Sequence, residues 1–109
     1  MKNKTIKFKI RKLNYTLHIV DTNNENLILD GTSRAGIAYR KECAIYIVND
    51  LKPQMFARVL LHELSHAYIY ASGMVQVEWN EENVADFIEN NFEDLEYTFK
   101  KILGVVFNE

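Results

Sequence analysis

The segment VLLHELSHAYIYASG, residues 59–73, is an apolar run that carries three ionisable side chains: His62, Glu63 and His66. In a helix, residues four apart project from the same face, so the two imidazole rings can share one cation. Imidazole nitrogen suits zinc, at about 2.0–2.1 Å. Glu63 would lie beside such a metal, where its carboxylate can accept a proton from a water molecule that the metal has made acidic. The segment therefore predicts a hydrolytic zinc site.

This spacing is the H-E-x-x-H pattern of zinc metallopeptidases. Average histidine and glutamate usage would produce it by chance in only a few chains per thousand of about this size. The pattern also lies in the middle of a predicted helix that directly follows a predicted strand, which favours the functional interpretation. The alternative is that the two helical histidines are partly buried polar groups that bind no metal.

A catalytic zinc site needs three protein ligands and one open position, so a third ligand must be found. The only other histidine, His18, lies far upstream in a predicted strand, and Ile69 and Ser72 stand where a metzincin has glycine and histidine. A glutamate on a second helix is the remaining common solution. The candidates from the segment EWNEENVADF, in order of preference, are Glu82, Glu81 and Glu78.

Glu82 is preferred because of the residues that follow it. A small residue, Ala85, comes about one turn later and would let two helices approach each other. Asp86 could then orient a ligand histidine through a hydrogen bond. The alternative for each of these acids is a solvated carboxylate at a helix N-terminus, where the helix dipole favours negative charge.

Together, HELSHAYIYASG and NEENVADFI resemble the small gluzincin-type metallopeptidases of the ImmA/IrrE kind, closest to the compact forms encoded by bacteriophages and prophages. The resemblance covers about residues 44–90, less than half of the chain. It implies that His62, His66 and Glu82 bind one zinc ion, that Glu63 is the general base and that Asp86 supports a ligand histidine. Many members of that family begin with helices, whereas this chain begins with strands, and their C-terminal substrate-selecting regions have no counterpart here.

The elements that must position these residues follow from hydropathy periodicity and turn chemistry. The predicted strands are 5–12, 14–21, 36–41 and 44–50, with a loop at 22–35 that contains a short element at 27–29. The predicted helices are 51–71, capped by Asn49 or Asp50 and ending near Gly73, and 80–103, ending at Gly104. We therefore expect one α+β domain over residues 1–109. It would be a minimal zincin-like domain, in which a small antiparallel or mixed sheet precedes the HExxH helix and a C-terminal helix that carries the glutamate.

Three further predictions concern the surroundings of the site. The strand 44–50 should form one wall of the cleft, with an exposed edge that pairs with an extended peptide. An oxyanion donor is also expected, although each candidate is more often an aromatic packing residue; the unranked candidates are Tyr68, Tyr70 and Tyr97. The last helix carries an apolar stripe at helical spacing that should be core: Val84, Ile88, Phe92, Leu95, Phe99 and Ile102.

Composition restricts the classes of partner. Apolar residues make up 48% of the chain and charged residues 26%, as in soluble globular domains. The net charge of −2 gives no reason to expect nucleic acid as a partner, and no apolar run is long enough to span a membrane. The single cysteine, Cys43, excludes an intrachain disulfide and fits a reducing compartment, so we expect a cytoplasmic protein.

Three functional hypotheses follow. The first is a zinc-dependent endopeptidase of narrow specificity that cleaves an intracellular protein or peptide, and the family resemblance implies a regulatory target. The second is a non-catalytic zincin fold used for binding or regulation, with a structural or vestigial metal site. The third is an interaction module in which HExxH is a coincidence. The carboxylate of Glu63 favours the first hypothesis, because a structural site gains nothing from an acid that does not bind the metal.

Overall fold

The computed structural model describes residues 1–108, in which strands come first and helices follow. The strands are β1 (Lys4–Ile10), β2 (Leu13–Val20), β3 (Ile28–Leu29), β4 (Thr32–Ser33), β5 (Gly36–Tyr39) and β6 (Ala44–Val48). The helices are α1 (Pro53–Ala71) and α2 (Glu81–Phe107), and a single 3-10 turn spans Glu25–Leu27. This confirms the α+β class with a mixed sheet and two helices. No helix within residues 1–108 combines the length and apolar character needed to cross a membrane.

The main sheet has the strand order β1-β2-β6-β5. β1 and β2 form an antiparallel hairpin, β2 and β6 run parallel, and β6 pairs with β5 in antiparallel fashion. β6 is thus an inner strand with both edges paired, and the prediction of an exposed edge on strand 44–50 is wrong. The free edge on this side of the sheet belongs to β5. Alternation along a strand does not reveal this, because neighbours in a sheet are set by pairings distant in sequence.

The core lies between one face of the sheet and the two helices. Alternating residues of β1, β2 and β6 supply the sheet's side of it, and one face of α1 covers them. The fully buried members with the largest side chains include Tyr15, Leu17, Ile45, Phe56, Leu60 and Leu64. This layer fixes the position of α1 on the sheet, and with it the orientation of the HExxH segment.

The segment between β2 and β5 packs on β5 and β6 through the 3-10 turn. Leu27 in that turn is fully buried, and the Tyr39 hydroxyl donates a hydrogen bond to the Asn26 carbonyl at 2.7 Å. The backbone N–H of Arg34 donates to the Leu27 carbonyl at 2.8 Å. These contacts fix the approach of the chain to β5, and therefore the position of Arg34 next to the HExxH helix.

The start of α1 differs from the prediction. The helix begins at Pro53 with Lys52 as its N-cap, and no side chain caps it. Asn49, predicted as a capping residue, instead donates hydrogen bonds from its side chain to Asn3 and Asp21. A proline in the first turn is well tolerated because its missing N–H would have no helical partner there. The predicted end of α1 is confirmed: Gly73 adopts a φ of 71° just beyond it.

The apolar stripe of α2 is core only in its C-terminal half. Ile102 is buried and Leu95 and Phe99 pack partly against the core, whereas the first three members of the stripe face solvent. Their exposed fractions are 41% for Val84, 52% for Ile88 and 54% for Phe92. The prediction that these three are core is wrong. The helix also continues through Gly104 to Phe107, beyond the predicted end.

Two polar residues take the buried face of α2 in place of that stripe, and both have hydrogen-bond partners. The Asn91 carboxamide oxygen accepts from the Arg11 guanidinium at 2.9 Å, and its NH₂ group donates to the Phe87 carbonyl at 3.0 Å. The Thr98 hydroxyl lies 2.9 Å from the Tyr68 hydroxyl. A buried polar side chain with satisfied hydrogen bonds is stable in a core, so hydropathy alone selected the wrong face in the N-terminal half of α2.

Candidate metal centre

The two histidines of the HExxH segment converge on one point. Their Nε2 atoms are 3.3 Å apart and their ring centroids 4.9 Å apart, with the rings inclined at 75°. Two nitrogens bound to a tetrahedral zinc at 2.0–2.1 Å are separated by about 3.3–3.4 Å. The spacing of His62 and His66 therefore fits two of the ligand positions of a zinc site. An N–H···N hydrogen bond between the rings has a similar length, so the distance fits metal binding without requiring it.

The helix itself produces this convergence, and neighbouring residues of α1 support it. The Ser65 hydroxyl donates to the Leu61 carbonyl at 2.8 Å, within the helix and apart from the rings. One turn beyond His66, the Tyr70 ring stacks on the imidazole with a centroid distance of 6.1 Å and an angle of 24°. His66 therefore lies between His62 and Tyr70, and the pair remains open on its outer side because His62 is exposed.

Glu63 points away from solvent and into the gap between α1 and β5, where only 8% of its surface is exposed. Burial raises the pKa of its carboxyl group, while His62, His66, the Ala38 N–H and Arg34 oppose that rise. The Ala38 N–H favours the charged form of the carboxylate, which places the acid close to the edge strand. The residue predicted as general base thus lies within electrostatic range of both imidazoles.

Gly36 makes this close packing of β5 on α1 possible. A Cβ atom at this position would lie 2.6 Å from Val59 Cγ1 and 3.1 Å from Glu63 Cγ. Both distances are shorter than ordinary van der Waals contact, so any side chain would push β5 away from the helix. The sequence analysis missed the role of Gly36. The available signal was a glycine at the start of a strand, which often marks a close approach of another segment.

The structure does not bring a third ligand to the histidine pair. Within the part of the chain that is described, no three His, Cys, Asp or Glu side chains are grouped so that they could hold a metal ion. Glu82 lies in the first turn of α2 and is exposed, as are its two alternatives, Glu81 and Glu78. The assignment of Glu82 as a ligand therefore stays a prediction.

Asp86 is also exposed, on the second turn of α2. Among residues 1–108, Asp86 makes no hydrogen bond to either imidazole. The hydrogen bond found at the pair joins the two rings to each other. For Asp86 to orient a ligand histidine, the start of α2 would have to move toward the histidine pair. Glu82 would need the same movement to bind the metal.

Helix geometry explains why α2 stays away from the pair. α2 contacts α1 through Tyr68, whose hydroxyl donates to the Asp94 carboxylate at 2.6 Å. Tyr68 is two residues beyond His66, and two residues turn a helix by about 200°, so the side chains point to nearly opposite sides. Glu82 in turn precedes the buried Asn91 by nine residues, or about two and a half turns, and faces roughly the other way.

The structure separates the three tyrosines that were candidates for oxyanion stabilisation. Tyr68 is buried, with its hydroxyl bonded to Asp94 and Thr98, and burial followed by the Asp94 hydrogen bond raises its pKa well above the usual range. Tyr97 is 65% exposed on α2. Tyr70 is the one in ring contact with a histidine of the pair.

A pocket of about 410 Å³ opens beside His62 and Glu63, between α1 and the segment that enters β5. A ligand in this pocket would lie next to the predicted base and one imidazole. The site therefore combines two convergent imidazole nitrogens, a buried carboxylate and an adjoining pocket. Comparisons of the chain with protein-family models, with curated proteins and with solved structures return no match.

Proposed function

We propose that the protein is a zinc-dependent endopeptidase of narrow specificity that acts on an intracellular, regulatory protein or peptide. The observation that carries this proposal is the 3.3 Å separation of the His62 and His66 Nε2 atoms, with the buried Glu63 carboxylate within electrostatic range of both rings. A pair of helical histidines that only filled space would not need a buried acid between helix and edge strand. Burial of a carboxylate costs free energy unless hydrogen bonds or nearby charges compensate for it.

His62 and His66 would bind the metal, with Glu82 as the proposed third ligand and Asp86 as the residue that orients a ligand histidine. When bound, zinc supplies a Lewis acid that polarises the scissile carbonyl and acidifies water. Glu63 accepts a proton from the attacking water and delivers it to the nitrogen of the leaving amine. The raised pKa that burial gives this acid favours its second task, in which it must donate the proton.

The free edge of β5 is the proposed docking site for the backbone of the substrate. β5 pairs with β6 on one side only, and the Ala38 N–H on β5 already reaches Glu63. An extended peptide that added a strand to this edge would pass directly along the general base. This proposal transfers to β5 the role that the sequence analysis gave to the strand 44–50.

The experiment that tests the proposal combines metal analysis with one substitution. We expect elemental analysis to find about one zinc per chain. We also expect the protein to cleave a substrate protein, and a metal chelator to abolish this cleavage. Glu63→Gln should retain the zinc and the fold and lower the rate by about 10²–10⁴-fold. Glu42→Gln, an exposed acid in the turn before β6, is the matched control and should keep full activity.

Two results would refute the endopeptidase. One is a chain that binds no metal when zinc is equimolar, which would leave HExxH as a coincidence. The other is proteolysis that survives Glu63→Gln, because cleavage would then come from a contaminant or from another site.

A second candidate function is a non-catalytic metal-dependent binding or regulatory protein. It is favoured by one observation: the described residues contain no three-ligand group, and α2 packs on the side of α1 turned away from the imidazoles. Under this alternative zinc would still bind, but Glu63→Gln would leave the function unchanged. The same substitution therefore separates the two candidates.

A further inference from the structure

The pocket beside Glu63 has a charge that the proposed chemistry does not explain. Two arginines line it, Arg34 from the segment before β5 and Arg58 from α1. Arg58 precedes His62 by one helical turn and so projects from the same face as the imidazole. Arg34 is fixed by the hydrogen bond from its backbone N–H to the Leu27 carbonyl. The two arginines thus line the pocket from opposite walls, and both are exposed.

Neither guanidinium has a hydrogen-bonded or ion-paired partner among residues 1–108, although the charge of Arg34 acts on Glu63. Glu63 is the only acid lining the pocket. The charges of both imidazoles and of Arg34, together with the Ala38 N–H, already act on Glu63. The pocket therefore carries two cations against one committed anion, and a bound zinc ion would increase the excess of positive charge.

Apart from His62, the remaining walls are apolar and fit a short aliphatic stem. Met55 and Val59 from α1 and Ala35 from the opposite segment line the same pocket. A volume of about 410 Å³ is at the lower end of the range for ligand pockets and suits one side chain with its adjoining backbone. Arginine is also the residue that binds carboxylates with two parallel hydrogen bonds.

We propose that this pocket is a specificity subsite that takes an acidic side chain of the substrate, aspartate or glutamate, at a residue next to the scissile bond. Its carboxylate would pair with Arg58 and Arg34, and its methylene groups would pack on Met55 and Val59. Lysine or arginine would be excluded by repulsion from the same two cations. This inference rests on the proposed function, because it treats the pocket as part of a peptide-binding cleft.

The test uses the full chain with equimolar zinc and a library of short synthetic peptides in which one position is Glu, Asp, Gln or Lys and the flanks are randomised. Cleavage by the wild-type protein gives one measurement. Retention of the same peptides on immobilised Glu63→Gln protein gives a second that does not depend on catalysis. Charge-assisted hydrogen bonds to arginine should favour Glu and Asp over Gln by about tenfold or more in both.

The charge-reversing variants Arg58→Glu and Arg34→Glu should lose that preference and shift retention toward Lys peptides. Arg40→Glu is the matched control: it makes the same change in net charge at an exposed position outside the pocket and should keep the acidic preference. Arg58→Gln, which removes the charge without adding a new one, should lower retention of Glu peptides to the level of Gln peptides.

The outcomes distinguish the two proposals. Cleavage without an acidic preference, or a preference that survives both charge reversals, would overturn the subsite and leave the endopeptidase intact. Acidic retention that Arg58→Glu removes, with no cleavage of any peptide, would support the subsite and overturn the endopeptidase. Absence of both cleavage and retention would overturn both proposals.

Discussion

The two flanks of α1 differ in how completely they assemble their share of the site. On the flank that faces β5, Gly36 allows close contact, the Ala38 N–H favours the charged form of Glu63, and the pocket opens beside Gly36 and Glu63. On the flank that faces α2, contacts run through Tyr68 and Ser72, and the acids proposed to serve the metal remain exposed. Groups on one helix, or on a helix and the strand it packs on, are thus positioned, whereas groups that need a second helix are not.

The largest expected effect comes from removing a group that the structure already positions, one imidazole of the histidine pair. His62→Ala should weaken zinc binding by about a hundredfold or more, because even residues that only support a ligand contribute about 10–100-fold to metal affinity. His18→Ala is the matched control, since its ring stacks on Tyr46 rather than joining the pair. Isothermal titration with zinc would measure both. Equal affinity of the His62→Ala protein and the wild type would show that the metal binds elsewhere.

The same titration tests the flank of α1 that faces α2, where the proposed third ligand is not in place. If Glu82 is the third ligand, the first turn of α2 must move when zinc binds. Trp79, the only tryptophan, stands directly before that turn and contacts the Phe87 ring at a centroid distance of 5.8 Å. Zinc should therefore change tryptophan fluorescence in the wild type and in Glu81→Gln but not in Glu82→Gln. An unchanged spectrum, with equal zinc affinity in all three proteins, would remove Glu82 from the site.

The next effect concerns the contact between β5 and α1. Gly36→Ala would place its Cβ against Val59, a β-branched residue that has one strongly preferred rotamer in a helix and cannot turn away cheaply. We expect a loss of about 1–3 kcal/mol in the free energy of unfolding. Proteolysis should fall further, by about a hundredfold, because a displaced β5 misplaces Glu63. Denaturant unfolding that matches the wild type would show that β5 does not pack on α1 as described.

These comparisons also show what the sequence could predict. The spacing of His62 and His66 follows from helix geometry, so their convergence and the class of fold were predictable from pattern alone. The inner position of β6 and the free edge of β5 were not, because both depend on pairings distant in the chain. The buried face of α2 was hidden for a related reason: Asn91 owes its burial to Arg11, eighty residues earlier, which no local period can reveal.

A smaller effect tests the contact that holds α2 on its flank. Tyr68→Phe removes the hydroxyl that bonds to Asp94 and Thr98 and should lower stability by about 1–2 kcal/mol. Zinc affinity should stay unchanged, because Tyr68 faces away from the imidazoles. Tyr97→Phe is the control: its ring is 65% exposed and should change stability by about 0.5 kcal/mol or less. A drop in zinc affinity with Tyr68→Phe would instead link this interface to the metal centre.

The smallest expected effect has the opposite sign and concerns where α2 ends. The sequence analysis took Gly104 as the residue that stops the helix, in which case it would need a positive φ that disfavours alanine. In the structure Gly104 is helical, the carbonyl of the same residue accepts the Asn108 N–H at 3.0 Å, and the nearest atom to an added Cβ is 3.7 Å away. Gly104→Ala should therefore stabilise the protein by about 0.5–1 kcal/mol. The same substitution thus changes the free energy of unfolding in opposite directions at the two positions. Gly36 is required by a close approach, whereas Gly104 only weakens a helix. If Gly104→Ala destabilised the protein, α2 would end at Gly104, as the sequence indicated.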